Sequence, residues 1–394
     1  MRICHVTPHL PPDQAANALL PYQLGRQARE AGDEATYVTH PPRWGSGATD
    51  LPGPVTRIPW RDRSPAPWPA RKLRGVRQAV RIARQAAPAV RAADVVHLHS
   101  NGLLIEICAW LARRYRKPTV LTLYGTDIWH YRRRRPVDLF TRAYDQAGRA
   151  TFYSERLRRH AAEQGLRQDH AQVIYPPVAA TFAWNTPEAR REARAALGLG
   201  AEPVLLNVKR LHPLAGQRFA IEAMTDILRA HPDTRLILCG AGPLHADLAA
   251  LARDRGVAER VRFAGLVDNR ALATYYAAAD LFLLPSLLEA APTVALEALA
   301  SGTPVLSTDN PGGMELKGLF DDDVTMVPRE DTGAIAGAVT AFLSDNRRTS
   351  PATRIRIEQD LRPERVWHRF RSIYERLLPD GSVTSRGDEE RPRR

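Results

Sequence analysis

The sequence predicts an α/β protein of two domains with parallel sheets, and three observations carry that prediction. At 394 residues the chain is too long for one ordinary core. Apolar runs of strand length alternate with helical stretches along most of it, the pattern of strand–helix–strand units. The stretch from Leu281 to Leu306 shows the unit most clearly. An apolar run, Leu281 to Leu284, breaks at Pro285-Ser286; Pro292 is placed to open a helix that ends at Gly302; Thr303 to Thr308 reads as the next strand. Glu289 then lies in the loop and Glu297 about a turn and a half into the helix, at the carboxyl end of a strand, where ligands bind in open sheets.

Composition excludes several classes. No apolar run approaches a membrane span, and the opening MRICHVTP is strand-like rather than a secretory leader. Cys4, Cys108 and Cys239 are scattered in apolar runs and form neither a metal set nor a disulfide framework, so a cytoplasmic protein is expected. The formal net charge is +13, almost all of it from arginine. Residues 1–185 hold 28 basic against 14 acidic residues, and the remainder 28 against 29. An anionic acceptor or membrane surface would therefore meet the first half. Nucleic-acid binding rests on charge alone and is not expected.

In the first half, Arg2 to Thr7 is a strand, and a helix carrying Leu19, Leu20, Leu24 and Ala28 ends near Gly32. Glu34 to Thr39 is the second strand. Residues 41–70, rich in Pro, Trp, Arg and Gly, read as a long loop facing an acceptor. Arg71 to Arg91 is a basic helix whose Leu73, Val76, Val80, Ala83 and Ala87 read as a core-facing stripe in preference to a membrane-facing one. Asp94 to His99 and Thr119 to Leu123 are strands, the latter running into Tyr124-Gly125-Thr126-Asp127. Arg132 to Arg135 is an arginine run beside that loop. Ala150 to Ser154 and Glu155 to Gly165 form a strand–helix pair.

The second half opens with a polar helix, Thr186 to Leu197, and the buried-type strand Pro203 to Val208. Lys209-Arg210-Leu211 and Ala215-Gly216 follow. Arg235 to Gly240 runs into Gly240-Ala241-Gly242-Pro243, too short for a dinucleotide fingerprint. Asn310 to Glu315 is a glycine-containing turn whose backbone N–H groups could approach a sugar or phosphate. Asp321-Asp322-Asp323 reads as a turn rather than a metal site. Leu361 to Leu378 is amphipathic, and 379–394 is charged and expected to be disordered.

The order strand, Pro-Ser-x-x-Glu, seven-residue gap, Glu-Ala-x-Ala-x-Gly-x-Pro-Val resembles the signature of the retaining, nucleotide-sugar-dependent glycosyltransferases of family 4. The resemblance implies the GT-B architecture: two facing Rossmann-like domains, here 1–182 and 183–361, with a C-terminal helix (362–378) crossing back to the first. It also implies roles. Glu297 would bind ribose hydroxyls, Glu289 would face the donor sugar, Arg210 would hold the diphosphate and Gly312-Gly313 the sugar. Gly240 and Gly242 resemble the family's loop beside the nucleotide, and Val261 to Val267 the segment flanking the base. His99, of the Asp-x-x-His-x-His pattern, and Asp127 would lie on the acceptor side.

Four positions depart from the family pattern. Ala15 and Ala16 stand for a glycine pair, Tyr124 for a histidine, and Ala215 for the lysine that helps clamp the leaving diphosphate. Lys209 and Arg218 are the candidate substitutes. The expected activity is transfer of a hexosyl-type group from a nucleoside diphosphate sugar to an acceptor hydroxyl, on a polysaccharide, glycolipid or secondary metabolite. Retention and metal independence are expected, with no cofactor beyond the donor. A protein that binds nucleotide sugar without turnover is the alternative.

Overall fold

A computed structural model describes residues 1–379 apart from 14, 44–49, 63, 66, 134–137 and 346. The chain divides into two compact units, residues 1–174 with 363 onward, and residues 175–362.

The first unit runs β1 (Arg2–Val6), α1 (Ala16–Glu30), β2 (Glu34–Thr39), β3 (Val55–Arg57), α2 (Trp68–Ala92), β4 (Val95–His99) and α3 (Leu103–Arg114). It continues with β5 (Thr119–Leu123), α4 (Thr126–Trp129), α5 (Leu139–Gln146), β6 (Arg149–Phe152), α6 (Glu155–Glu163) and β7 (Ala171–Val173). The strands form a parallel sheet in the order β3-β2-β1-β4-β5-β6-β7. Strand β3 lies inside the stretch that reads as loop. It is three residues long and pairs with β2 from Tyr37↔Val55 to Thr39↔Arg57, too short to leave a periodic signal. Helix α2 also differs from expectation. It buries Gln78, Ile82, Ala86 and Val90, and leaves Leu73, Val76 and Val80 exposed.

The second unit runs α7 (Pro187–Ala196), β8 (Val204–Val208), α8 (Gln217–Ala230), β9 (Arg235–Cys239), α9 (His245–Asp254), β10 (Val261–Gly265), α10 (Asn269–Ala278) and β11 (Leu281–Leu284). It closes with α11 (Thr293–Ala300), β12 (Val305–Thr308), α12 (Pro311–Phe320), β13 (Val324–Val327), α13 (Thr332–Asp345) and α14 (Pro351–Arg356). Its parallel sheet has the order β10-β9-β8-β11-β12-β13. Strands β8 and β11 are apolar almost throughout because helices cover both faces. Each fully buried leucine there contributes about 1.5–3 kcal/mol. Polar helix α7 is held by charge: Arg190 and Arg194 both pair with Asp280, whose carboxylate also accepts from the Val204 N–H at 2.8 Å.

Helix α15 (Pro363–Leu377) returns to the first unit, where Val366, Trp367, Phe370, Ile373 and Tyr374 are buried. Residues 380–394, most of the expected disordered tail, lie outside the described residues. Among the described residues no helix is long and apolar enough to cross a membrane.

Candidate active site

In the second sheet the strand order reverses between β8 and β11, so the loops at their carboxyl ends diverge. Lys209 directly follows β8 and Glu289 lies in the loop after β11. Lys209 Nζ stands 2.6 Å from Glu289 Oε1, with both side chains partly buried. Neighbouring ties fix these loops. The Leu287 N–H donates to Leu214 O at 2.9 Å, and the Lys209 N–H to Cys239 O at 2.9 Å. Gly216, at φ +67°, lies so close to the β11 loop that a Cβ there would fall 1.9 Å from Pro285 O. Only glycine permits that turn and that approach.

The three cations named from sequence separate. Arg210 is exposed beside Lys209, and among the described residues no ion pair is recorded for its guanidinium. The Gln217 amide donates to its backbone carbonyl at 3.1 Å and so fixes its place. Arg218 instead turns along the surface of α8, where it pairs with Glu222 at 3.3 Å. Ala215 is buried at the end of a 3-10 turn, Pro213–Ala215, whose other two residues are exposed.

Pro292 caps α11 from an extended conformation, so the helix starts one residue later than expected, at Thr293. Glu297 is half-buried there, and the Tyr276 hydroxyl donates to its Oε2 at 2.9 Å. Burial pushes the Glu297 carboxyl up to about 7, and the tyrosine hydrogen bond offsets part of that rise. Tyr276 was invisible to motif reading, since it sits on the preceding helix and carries no spacing signal. Gly240 donates its N–H to Gly265 O at 2.7 Å, joining the ends of β9 and β10 two residues before Val267.

Gly312 and Gly313, expected at the donor sugar, bond inside the unit. The Gly312 N–H donates to Glu289 O at 2.9 Å, and the Gly313 N–H to the capping Asn310 Oδ1 at 3.0 Å. Neither amide is free for a ligand. What the glycines permit is contact: a Cβ on Gly312 would lie 2.6 Å from Glu289 Cβ. Helix α12 therefore supports Glu289 from beneath. Asp321–Asp323 is a 3-10 turn whose Asp323 accepts from the Ser350 N–H and hydroxyl, each at 2.8 Å.

In the first sheet the order reverses between β1 and β4, and three histidines fill that point. His5 and His97 are register partners, and His99 follows two residues on. All three are fully buried. His5 Nδ1 lies 3.0 Å from His99 Nε2, and His99 Nδ1 lies 2.7 Å from the Tyr124 hydroxyl. His97 is held at 2.7 Å by both Tyr374 and Thr122. Burial drives all three imidazoles toward the neutral form, His5 to about 3. One ring nitrogen from each gathers within 4.8 Å of the others, yet both nitrogens of His97 and His99 already have partners inside the unit. His5 Nε2, by contrast, is buried with no hydrogen-bond partner among the described residues.

Asp127 is likewise turned inward. Its carboxylate accepts from the Tyr124 N–H at 3.0 Å and the Gly125 N–H at 2.7 Å. Burial nevertheless pushes its carboxyl up. The structure thus joins His99 and Asp127 through Tyr124, the residue that departs from the family pattern. His5 and Tyr374 were missed from sequence because only strand register and the returning helix bring them in.

Two Rossmann-like units, with charged residues gathered where the second sheet reverses, define the GT-B class of glycosyltransferases. Family models agree: Glycosyltransferase Family 4 matches residues 21–182, and Glycosyl transferases group 1 matches residues 189–358. The chain belongs to this family of group 1, family 4 glycosyltransferases. It is 36% identical over 171 residues to a GDP-mannose-dependent α-(1-6)-phosphatidylinositol monomannoside mannosyltransferase of Mycolicibacterium smegmatis, covering 42% of this chain and 44% of that one. It is 34% identical over 272 residues to a D-inositol 3-phosphate glycosyltransferase of Nocardia farcinica, covering 64% and 59%. The matches thus span about half the length of these relatives. A solved sucrose-phosphate synthase from Thermosynechococcus elongatus has the same fold, with a TM-score of 0.74 at 20% identity over 96% of this chain and 99% of that one.

Proposed function

We propose that the protein transfers a hexosyl-type group from a nucleoside diphosphate sugar to an acceptor hydroxyl, with retention at the anomeric carbon. The observation that carries this reading is the Lys209–Glu289 pair at the reversal of the second sheet, with Arg210 exposed beside it. A diphosphate entering there would meet two cations, which stabilise the charge that develops as it departs. Lys209 would leave Glu289 for the phosphate oxygens and so do the work of the absent lysine at position 215. Glu289 would then turn to the hydroxyls of the donor sugar. Glu297 would accept from the ribose hydroxyls, and the Gly240–Gly242 turn with Val267 would flank the nucleotide. With Lys209 and Arg210 neutralising the diphosphate, the step would need no divalent metal.

In the reaction the acceptor oxygen bonds to the anomeric carbon on the face from which the phosphate oxygen departs. The acceptor's proton passes to that phosphate oxygen, and nucleoside diphosphate leaves. Acceptor binding would fall to the first unit, at the loops around His99 and Asp127, and the relatives' names point to polyol and glycolipid acceptors.

A second reading, binding of nucleotide sugar without turnover, is favoured by one observation: His99 and Asp127 are both engaged by partners inside their own unit. Incubation with nucleotide sugars and candidate acceptors separates the two. Release of nucleoside diphosphate coupled to an α-linked product from an α-linked donor supports transfer. Donor binding with no release under any acceptor supports the second reading.

A further inference from the structure

The loops that follow β1, β2 and β3 bring together His9, His40, Arg43 and Trp60 outside the carboxyl ends of three neighbouring strands, where open sheets bind ligands. Trp60 is the centre of the group. The Arg43 guanidinium carbon lies 3.8 Å from its ring centroid, and the rings of His40 and His9 lie 4.0 and 5.5 Å away. Each member is tied to the fold. The Trp60 Nε1–H donates to Pro41 O at 2.8 Å, and the His40 Nδ1–H to Ile58 O at 2.6 Å. Buried Asp13 accepts from the Arg43 N–H at 2.9 Å with one carboxylate oxygen and holds His9 Nδ1 at 2.7 Å with the other.

Arg43 stands apart in this group. Its backbone is fixed by Asp13 and its guanidinium by stacking, yet it is exposed and pairs with no acidic side chain among the described residues. Holding so long a side chain in place costs conformational entropy. A stacked guanidinium also keeps its N–H edge as a planar fork suited to two oxygens at once. The charge balance has the same sense, with 28 basic against 14 acidic residues over 1–185.

We propose that the Arg43–Trp60 stack binds an oxyanion, a carboxylate or a phosphate monoester, carried by the acceptor. The strand order β2-β1-β4 sets the loops bearing His40 and His99 two strand spacings apart, about 10 Å. The charged group therefore belongs to a part of the acceptor removed from the hydroxyl that reacts. An acceptor without it leaves the fork unpaired, which makes the stack a determinant of acceptor choice. That the oxyanion belongs to an acceptor rests on the transfer reading; that Arg43 binds it does not.

The full-length protein is titrated calorimetrically with glucose 6-phosphate, glucuronate and glucose. At least one charged sugar should bind about tenfold or more tightly than glucose, the scale of a hydrogen bond to a charged group. Arg43→Gln should remove that difference. Arg43→Lys should recover only part of it, since an ammonium keeps the charge and loses the fork. Trp60→Leu, with circular dichroism unchanged, should cost about two- to fivefold by releasing the guanidinium. Arg210→Ala should leave the charged sugar bound, which sets this site apart from that of the diphosphate. The phosphate binding more tightly marks a phosphorylated acceptor, and the carboxylate a uronic acid. Charged sugars that bind no more tightly than glucose, or equally well to Arg43→Gln, would overturn the proposal. Binding through Arg43 without release of nucleoside diphosphate under any acceptor would count against transfer and leave this site standing.

Discussion

In the second sheet the reversal of strand order between β8 and β11 leaves a lysine and a glutamate partly open to solvent. In the first, the reversal between β1 and β4 is filled by three histidines with no exposed surface. The topology is the same, and the residues decide what becomes of it. Where charged side chains come from loops beyond the strand ends, the crevice stays available to a polar ligand. Where aromatic side chains come from the strands themselves, most of their ring nitrogens bond one another or neighbouring hydroxyls and burial keeps them neutral. Shared topology therefore supplies a place for a site, and the side chains at the strand ends determine whether a ligand can enter.

The sharpest way to break this comparison is to remove the cations. Arg210→Ala and Lys209→Ala should each lower kcat by about a hundredfold, the scale of losing one preorganised electrostatic group. Arg218→Ala, which pairs only along its own helix, should change kcat less than about twofold, as expected of an exposed ion pair. If Arg218→Ala costs as much as Lys209→Ala, the assignment of Lys209 is wrong.

Next in size is the nucleotide end. Glu297→Ala should raise the donor KM by about 10- to 150-fold, the worth of a hydrogen-bonded charged group at roughly 1.5–3 kcal/mol. Unchanged donor affinity in a titration would remove Glu297 from the ribose.

The two reversal points should also respond to pH with opposite sign. The Glu297 carboxyl is raised to about 7, so the folded second unit holds a proton that the unfolded chain has lost. Its stability falls as pH rises from the usual carboxylate range to about 7. Glu297→Gln should therefore raise Tm at pH 8 and leave it nearly unchanged at pH 5. Donor affinity, which needs the carboxylate, should weaken below about pH 7 in the wild type and stay flat in Glu297→Gln. The histidines are depressed, so the unfolded chain gains protons first and the first unit should lose stability as pH drops below about 6.5. Hydrogen exchange read by peptide would show protection lost around β1 and β4 before β8 and β11.

The smallest effect sharpens the role of the histidine cluster. Tyr124→Phe removes one hydrogen bond to His99 and should cost about 0.5–1.5 kcal/mol of stability. A merely supporting tyrosine leaves kcat within a few-fold. A tenfold loss of kcat at unchanged Tm would place Tyr124 against the reacting atoms.

Much of the second unit was legible in the sequence because its candidate residues sit on the loops, or the first helix, that follow recognisable strands. Glu289, Glu297 and Arg210 fall where the strand–helix rhythm puts them. The Lys209–Glu289 pair was not legible, since adjacency of β8 and β11 is a property of strand order and leaves no local mark. Helix α2 misled for a different reason. It carries two apolar stripes on opposite sides, and periodicity reports a stripe without saying which side meets the core. The engagement of the Gly312 and Gly313 amides was hidden as well, because a cap and a loop carbonyl claim them only in three dimensions.

The return of α15 to the first unit has a bearing on how the chain is made. Tyr374, which bonds His97, is translated after the whole of 175–362. At roughly 5–20 residues per second, β4 emerges from the ribosome several tens of seconds or less before the helix that completes its surroundings. The second unit, contiguous in sequence, can finish first. During biosynthesis the second unit is then the earlier to mature, and the histidine-bearing unit waits on α15.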